Sequence, residues 1–197
     1  WYSDSKYQTR VTQIAQGNVG NKTLYAKWTP TKYNIRYVLN GGKAKGNPTS
    51  YTITSKSITL KNPTRKGYTF SGWYSDSKYR TKVTKISNGS TGKKTLYAKW
   101  TKVTKPSKVN LKSAKNSGKN KLSVSYASVK KASGYQIAYS TSSKFTKSTT
   151  KYTSSKTIGK LKKGKTYYVK VRAYRKDSTG AKVYGSYSKV IKVKIKK

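Results

Sequence analysis

Three carboxylates, Asp4, Asp76 and Asp177, are the only acidic side chains in the sequence. Two carboxylates held a few ångströms apart can act as general acid and base at a glycosidic bond. Asp4 and Asp76, however, occupy the same position in two copies of one phrase, so they cannot meet inside one module. There is no His to serve as a neutral-pH base. There is no Cys, which excludes a thiolate nucleophile, a disulfide and a thiolate metal site. Ser and Lys are abundant, but no motif singles out a Ser/Lys pair. The chain is expected to be non-catalytic, with no cofactor and no metal.

The chemistry that remains is cationic. Lys and Arg number 46, and the formal net charge is +43 over 197 residues. Only six of the cations are Arg (positions 10, 36, 65, 80, 172 and 175), which leaves 46 − 6 = 40 Lys. Lys is a hydrated point charge, whereas Arg offers a planar fork for bidentate contacts. The bias favours loose, salt-sensitive attraction to a polyanion over recognition of one particular group.

The elements that carry these charges repeat. Residues 1–29 and 73–101 are copies offset by 72 positions, and 21 of their 29 aligned residues are identical. A period that long is one small domain per repeat. The copy at 73–101 is preceded by 42 residues (31–72) that complete the unit, whereas the copy at 1–29 begins at Trp1. The chain is therefore expected to be a fragment, which would also account for the lack of a leader peptide. No apolar run approaches the ~20 residues of a membrane span. High charge with low hydropathy permits disorder, but regular apolar spacing, 19 Tyr and 4 Trp favour folded β domains.

Strand signals dominate. Tyr33, Ile35, Tyr37 and Leu39 alternate with Asn34, Arg36 and Val38, a period of two. Asn40-Gly41-Gly42 is a hairpin signal, with Tyr51 and Ile53 as the return strand. Ile58 and Leu60 predict a short strand, followed by strands over 67–74 and 95–100. Leu96, Ala98 and Trp100 share one face of the last. Val83 and Ile86 allow at most a short helical turn within 77–87.

The pattern Tyr-x-Ile-x-Tyr-x-Leu-x-Gly-Gly at 33–42, Pro-x-Arg-x-Gly-Tyr-x-Phe-x-Gly-Trp-Tyr at 63–74 and Leu-Tyr-Ala-x-Trp at 96–100 resembles the Listeria–Bacteroides repeat, or internalin B-repeat. The resemblance implies a compact β-grasp-like module, found in tandem in bacterial surface proteins as a stalk or adhesive unit. It covers 30–101 as a complete repeat and 1–29 as the C-terminal half of a truncated one.

Lys105-Pro106 marks a linker. Beyond it, strands are expected at 108–114, 121–126, 134–140, 144–147, 156–159, 166–174 and 189–196, the spacing of a sandwich of about 100 residues. Gly134-Tyr-x-Ile137-x-Tyr139 and Leu161-Lys-Lys-Gly164-Lys-Thr-Tyr167-x-Val169-x-Val171-x-Ala173 resemble a fibronectin type III domain over 102–197. That resemblance gives Tyr167 the role of the family's tyrosine corner. It also replaces the family's usual second-strand Trp by Tyr126.

Candidate site residues follow from alternation. On 166–174, Lys170 and Arg172 should face out; on 189–196, Lys192, Lys194 and Lys196 should. The fibronectin resemblance makes these strands neighbours, and like charges opposite one another are destabilising. The cost would be offset if anions bind there, although lysines also protect sheet edges from aggregation. Lys160, Lys162, Lys163 and Lys165 add charge at one end. Mixed charge would serve solubility better than a near absence of acids does, which favours a functional polyanion surface. The aromatics Trp73 and Trp100 either stack on sugars or fill a core, and their alternation favours the core. No Arg-Gly-Asp motif supports integrin binding, and no Leu-Pro-x-Thr-Gly sorting motif is present.

The sequence thus predicts an all-β, extracellular or cell-wall protein: B-repeat modules in tandem, then a fibronectin type III sandwich. It is expected to belong to a larger surface protein of a Gram-positive bacterium and to hold upstream domains to an anionic wall polymer. A host glycan or glycoprotein is the rival partner, and a pure structural spacer is the third reading. No nucleic-acid-binding signature accompanies the charge.

Overall fold

Alternating aromatic and β-branched residues build nearly every element of the computed structural model, which describes residues 1–196. None of these residues is helical. The repeat at 33–102 consists of β1 (Tyr33–Val38), β2 (Ser50–Tyr51), β3 (Ile58–Thr59), β4 (Tyr68–Tyr74), β5 (Lys82–Val83), β6 (Lys85–Ile86) and β7 (Lys94–Lys102). Its sheet has the order β2-β1-β7-β4-β5. The central strands β1 and β7 run parallel, with Ile35 opposite Lys94 and Tyr37 opposite Leu96. Antiparallel partners flank this parallel pair on both sides, which gives the sheet its β-grasp-like order. Across one face lies the small β3–β6 ladder, with Ile58 opposite Ile86.

The core under this sheet contains Ile35, Tyr51, Leu60, Trp73, Ile86, Leu96 and Ala98. Phe70 lies edge-on between Trp73 and Trp100, 5.4 Å from each ring. Each indole N–H has a carbonyl partner: Trp73 donates to Lys61 O at 3.1 Å and Trp100 to Leu39 O at 2.9 Å. Buried polar groups would otherwise carry a desolvation cost. Gly42 is required because the Trp100 ring lies on its backbone. A β-carbon there would sit 2.4 Å from that ring.

One expectation for the repeat changes, and the expected upper limit on helix in 77–87 holds. Ile53 lies outside β2, in a turn where the Ser55 amide donates to Thr52 O, and is 48% exposed. Residues 77–87 contain no helical turn. The Asp76 carboxylate accepts from the amides of Lys78, Arg80 and Thr81 and so closes a loop. After that loop the chain forms β5 and β6.

The second unit has two packed sheets. One contains β8 (Leu111–Gly118), β9 (Lys121–Tyr126) and β12 (Thr157–Ile158), in the order β12-β9-β8. The other contains β10 (Gly134–Ser140), β11 (Thr150–Thr153), β13 (Thr166–Lys176), β14 (Lys182–Tyr184) and β15 (Ile191–Lys194). Its order is β11-β10-β13, with β15 beside the first half of β13 and β14 beside its end. The inward residues, among them Leu111, Leu122, Val124, Ile137, Val169, Val171 and Ile195, are almost fully buried. Each such side chain contributes about 1.5–3 kcal/mol by leaving water. Tyr126 packs against Tyr135, with ring centroids 4.7 Å apart and the planes tilted by 47°.

The expected strand at 144–147 is a turn instead. Phe145 adopts φ +52° there, and the Thr146 carbonyl accepts from both the amide and the hydroxyl of Thr150. Local Ser and Thr hydroxyls capture this stretch for a turn, and the strand forms later, as β11. Strand β14 was not foreseen. It is the return arm of a hairpin whose tip is Asp177–Gly180.

The first copy has little of this order. Tyr2 bridges to Tyr25 and Arg10, and no longer ladder forms. Trp1 is 64% exposed and Trp28 88%, whereas Trp73, the counterpart of Trp1, is 2% exposed. The partners that cover the second copy come from residues 31–72, and residues 1–29 contain no equivalents of that segment.

Candidate polyanion-binding surface

The cationic sheet face is built differently from the expected ladder of like charges. Strand β15 pairs only with residues 166–169, placing Lys192 opposite Tyr168 and Lys194 opposite Thr166. Lys170 and Arg172 lie beyond that pairing, beside the segment Gly185–Ser188. There the Gly185 amide bonds Ala173 O and the Ser188 amide bonds Val171 O. This segment carries Tyr187, which covers both cations.

Lys170 Nζ is 3.8 Å from the Phe145 ring centroid and 4.5 Å from that of Tyr187. The Arg172 guanidinium is 3.8 Å from Tyr184 and 4.5 Å from Tyr187. Arg172 Nε also donates to Gln136 Oε1 at 2.9 Å. Partial burial, then the neighbouring Arg172 charge, pushes the Lys170 ammonium below its ordinary value. The negative ring faces between the two cations offset their repulsion. Both residues are half-buried and held against aromatic rings in the sheet.

The remaining candidates are open. Lys192, Lys194 and Lys196 are exposed along one edge. Lys160, Lys162, Lys163 and Lys165 are exposed on the corner between β12 and β13. That corner is pinned by its backbone. The Leu161 amide bonds Asn120 O, the Gly164 amide bonds Ile195 O, and the Lys162 amide donates to the Tyr167 hydroxyl at 3.1 Å. Tyr167 is 8% exposed. Of the two Trp candidates, Trp73 is buried and Trp100 half-buried, so in the complete repeat Trp73 presents no ring to a sugar.

All three acids are engaged by backbone amides. Asp4 accepts backbone N–H bonds from Lys6, Gln8 and Thr9, and Asp76 repeats the pattern. These bonds hold both carboxyls below the usual value, led by the Thr9 amide for Asp4 and the Thr81 amide for Asp76. The one ion pair among the described residues joins Arg80 to Asp76 at 3.5 Å.

Asp177 is the residue that sequence reasoning missed. One carboxylate oxygen accepts from the Gly67 amide of the repeat, and the other from the Thr179 hydroxyl and the amides of Thr179 and Ala181. Led by the Gly67 bond, these hold its carboxyl down at about 2. Ser178 adds three more links across the joint. Its amide bonds Tyr68 O, its hydroxyl accepts from the Arg65 amide, and the same hydroxyl donates to Arg65 O. The turn composition Asp177-Ser-Thr-Gly180 was a legible signal for the hairpin, but its docking partner was not.

Residues 33–99 match the Listeria-Bacteroides repeat domain family. That stretch is a repeat of this family. A curated relative, named "Putative Gly-rich membrane protein" in Evansella cellulosilytica, is 33% identical over 105 residues. The match covers 51% of this chain and 12% of that relative's length. Among solved structures, the chicken CNTN1 FN1-FN3 domains align over 85% of this chain and 64% of that chain, at 12% identity and a TM-score of 0.41. The rat CD45 extracellular region, domains d3-d4, aligns over 92% and 85%, at 13% identity and 0.36.

Proposed function

We propose that this chain is a non-catalytic stalk and attachment region of a larger bacterial cell-surface protein, held to anionic wall polymers by its exposed lysines. The observation that carries the proposal is the fate of the acids. All three carboxylates accept from backbone amides, and the described residues contain a single ion pair, so the net charge of +43 has almost no local ion-pair compensation. A surface so unbalanced attracts polyanions at long range, and the attraction weakens with salt. The repeat family and the membrane-protein relative support a surface location.

A second reading, the spacer, is favoured by the joint at Asp177. Four hydrogen bonds between residues 65–68 and 177–178 fix the repeat against the sandwich, as a stalk requires. The two readings are compatible, because a stiff stalk with a basic end both projects and retains.

The test is co-sedimentation of the 197-residue chain with Gram-positive cell walls, before and after chemical removal of their teichoic acids. Attachment predicts that the chain pellets with intact walls and stays in the supernatant after removal. Pelleting that is indifferent to removal would overturn the wall-polymer reading, and absence from both pellets would leave the spacer.

A further inference from the structure

Strand β13 runs from one pole of the sandwich to the other. Asp177, just past its end, is bonded into the repeat. Lys165, just before its start, lies roughly 40 Å away at about 3.3 Å per residue. At that far pole is a cleft of about 500 Å³. One wall is the corner carrying Lys160, Lys162 and Lys165; the other is the turn after β10, with Thr141, Ser148 and Thr149. Lys151 closes one side, and Tyr139 and Tyr167, with ring centroids 6.4 Å apart, form the floor.

Both walls are built before any ligand arrives. The lysine corner is fixed by the backbone bonds already described. The hydroxyl wall is fixed by Ser140, which is 1% exposed and whose hydroxyl donates to Thr149 Oγ1 at 2.8 Å and accepts from the Ser142 amide at 3.0 Å. Thr149 Oγ1 is also 2.7 Å from Thr146 Oγ1. Holding donors in place in advance removes ordering cost from binding.

We propose that this cleft is a discrete site for one unit of an anionic polyol polymer: a phosphate or sulfate ester on a polyol or sugar. The four lysines supply charge for the tetrahedral oxyanion. The Ser and Thr hydroxyls match the polyol hydroxyls, and the tyrosine rings take the C–H face. The volume suits one or a few such units, since small-molecule sites run from about 300 to 1,000 Å³. The inference rests on the attachment reading and sharpens it from a diffuse basic surface to a site at the pole remote from the repeat. An end-on site of this kind would leave the joint and the upstream chain pointing away from the polymer.

The experiment compares three forms of the full chain: wild type, Lys160→Gln/Lys162→Gln/Lys165→Gln, and the charge-matched control Lys112→Gln/Lys115→Gln/Lys130→Gln. Binding to poly(glycerol phosphate) and to a heparin oligosaccharide is measured by calorimetry, and amide shifts are followed with glycerol 3-phosphate. The site predicts that the cleft variant loses about tenfold or more in affinity, while the control loses less than about threefold. It also predicts shifts centred on Thr141, Thr149 and Leu161. Tighter binding of the phosphate polymer assigns the ester as phosphate, and tighter binding of the oligosaccharide assigns it as sulfate. Equal losses in both variants would overturn the cleft and leave diffuse attachment standing. No binding of either polymer to wild type would overturn both.

Discussion

The Asp177 carboxylate accepts a 2.7 Å hydrogen bond from the Gly67 amide, 110 residues away, and in doing so joins the repeat to the sandwich. Around it the contact is close. A β-carbon on Gly185 would stand 2.6 Å from Pro106 O, and Arg175 Nη1 bonds Thr104 Oγ1 at 2.6 Å. The Lys105-Pro106 segment, read from the sequence as a linker, is flanked by these two contacts. Asp177→Ala is therefore expected to let the two units reorient independently. Residual dipolar couplings should fit one alignment tensor in the wild type and need two in the variant. One shared tensor in the variant would show that the joint does not depend on this carboxylate.

The same bonds make the joint acid-sensitive. Asp177 is held at about 2, below its ordinary 3.8, because the native state favours the carboxylate. A group depressed in the folded state adds stability above its ordinary value and loses it as pH falls through the folded value. The loss therefore belongs between about pH 4 and pH 2. The Gly67 amide shift should move in that window in the wild type and stay flat in Asp177→Ala. Asp4 and Asp76 titrate in the same direction, which is why the Gly67 amide is the probe and global unfolding is not.

The two copies of the repeated phrase should respond unequally to one substitution. Ile86 is 2% exposed, whereas its counterpart Ile14 is 57% exposed. Ile86→Ala should cost about 2–5 kcal/mol, as a cavity in a packed core does. Ile14→Ala should stay within about 0.5 kcal/mol, as surface changes do. Chemical denaturation of the two variants checks this, and comparable losses would show that the first copy has a core of its own.

Part of this contrast was legible in the sequence. The loop at 73–81 closes on the Asp76 carboxylate, with Tyr79 at φ +57°, and its counterpart closes on Asp4, with Tyr7 at φ +58°. Lys99 sits over Tyr74 and Tyr79, and Lys27 repeats this over Tyr2 and Tyr7. Those features are local, so the same words give the same geometry twice. Burial of Trp73 and Ile86 is not local, since it needs the strands of 31–72.

The period of two similarly foretold the inward faces of β7 and β13. It could not foretell which outward cations stay free. Lys170 and Arg172 follow the alternation, but Tyr184 and Tyr187 lie over them only because the chain crosses back at Gly185–Ser188. Likewise β14 carries only three residues of ladder, too few to show a period.

Arg172→Ala tests whether the ring contacts or an external anion use this guanidinium. It should destabilise the sandwich by about 1–2 kcal/mol through lost ring contacts, with polymer affinity changed less than about twofold. Thermal unfolding and a binding isotherm on the same sample decide it. A large affinity loss with unchanged stability would return Arg172 to the binding surface.

Tyr167→Phe removes the acceptor of the Lys162 amide while keeping the ring. It should cost about 1 kcal/mol and speed hydrogen exchange at Lys162, with the rest of β13 unaffected. Unchanged exchange at Lys162 would mean that the corner is held by its other bonds alone.

The most direct measurement of attachment is the affinity of the full chain for purified poly(glycerol phosphate) across a salt series from about 50 to 500 mM, a range over which the screening length falls from roughly 14 to 4 Å. Attachment through exposed lysines predicts measurable binding at low salt that falls steeply and continuously as salt rises. Binding that is absent at low salt, or flat across the series, would contradict it.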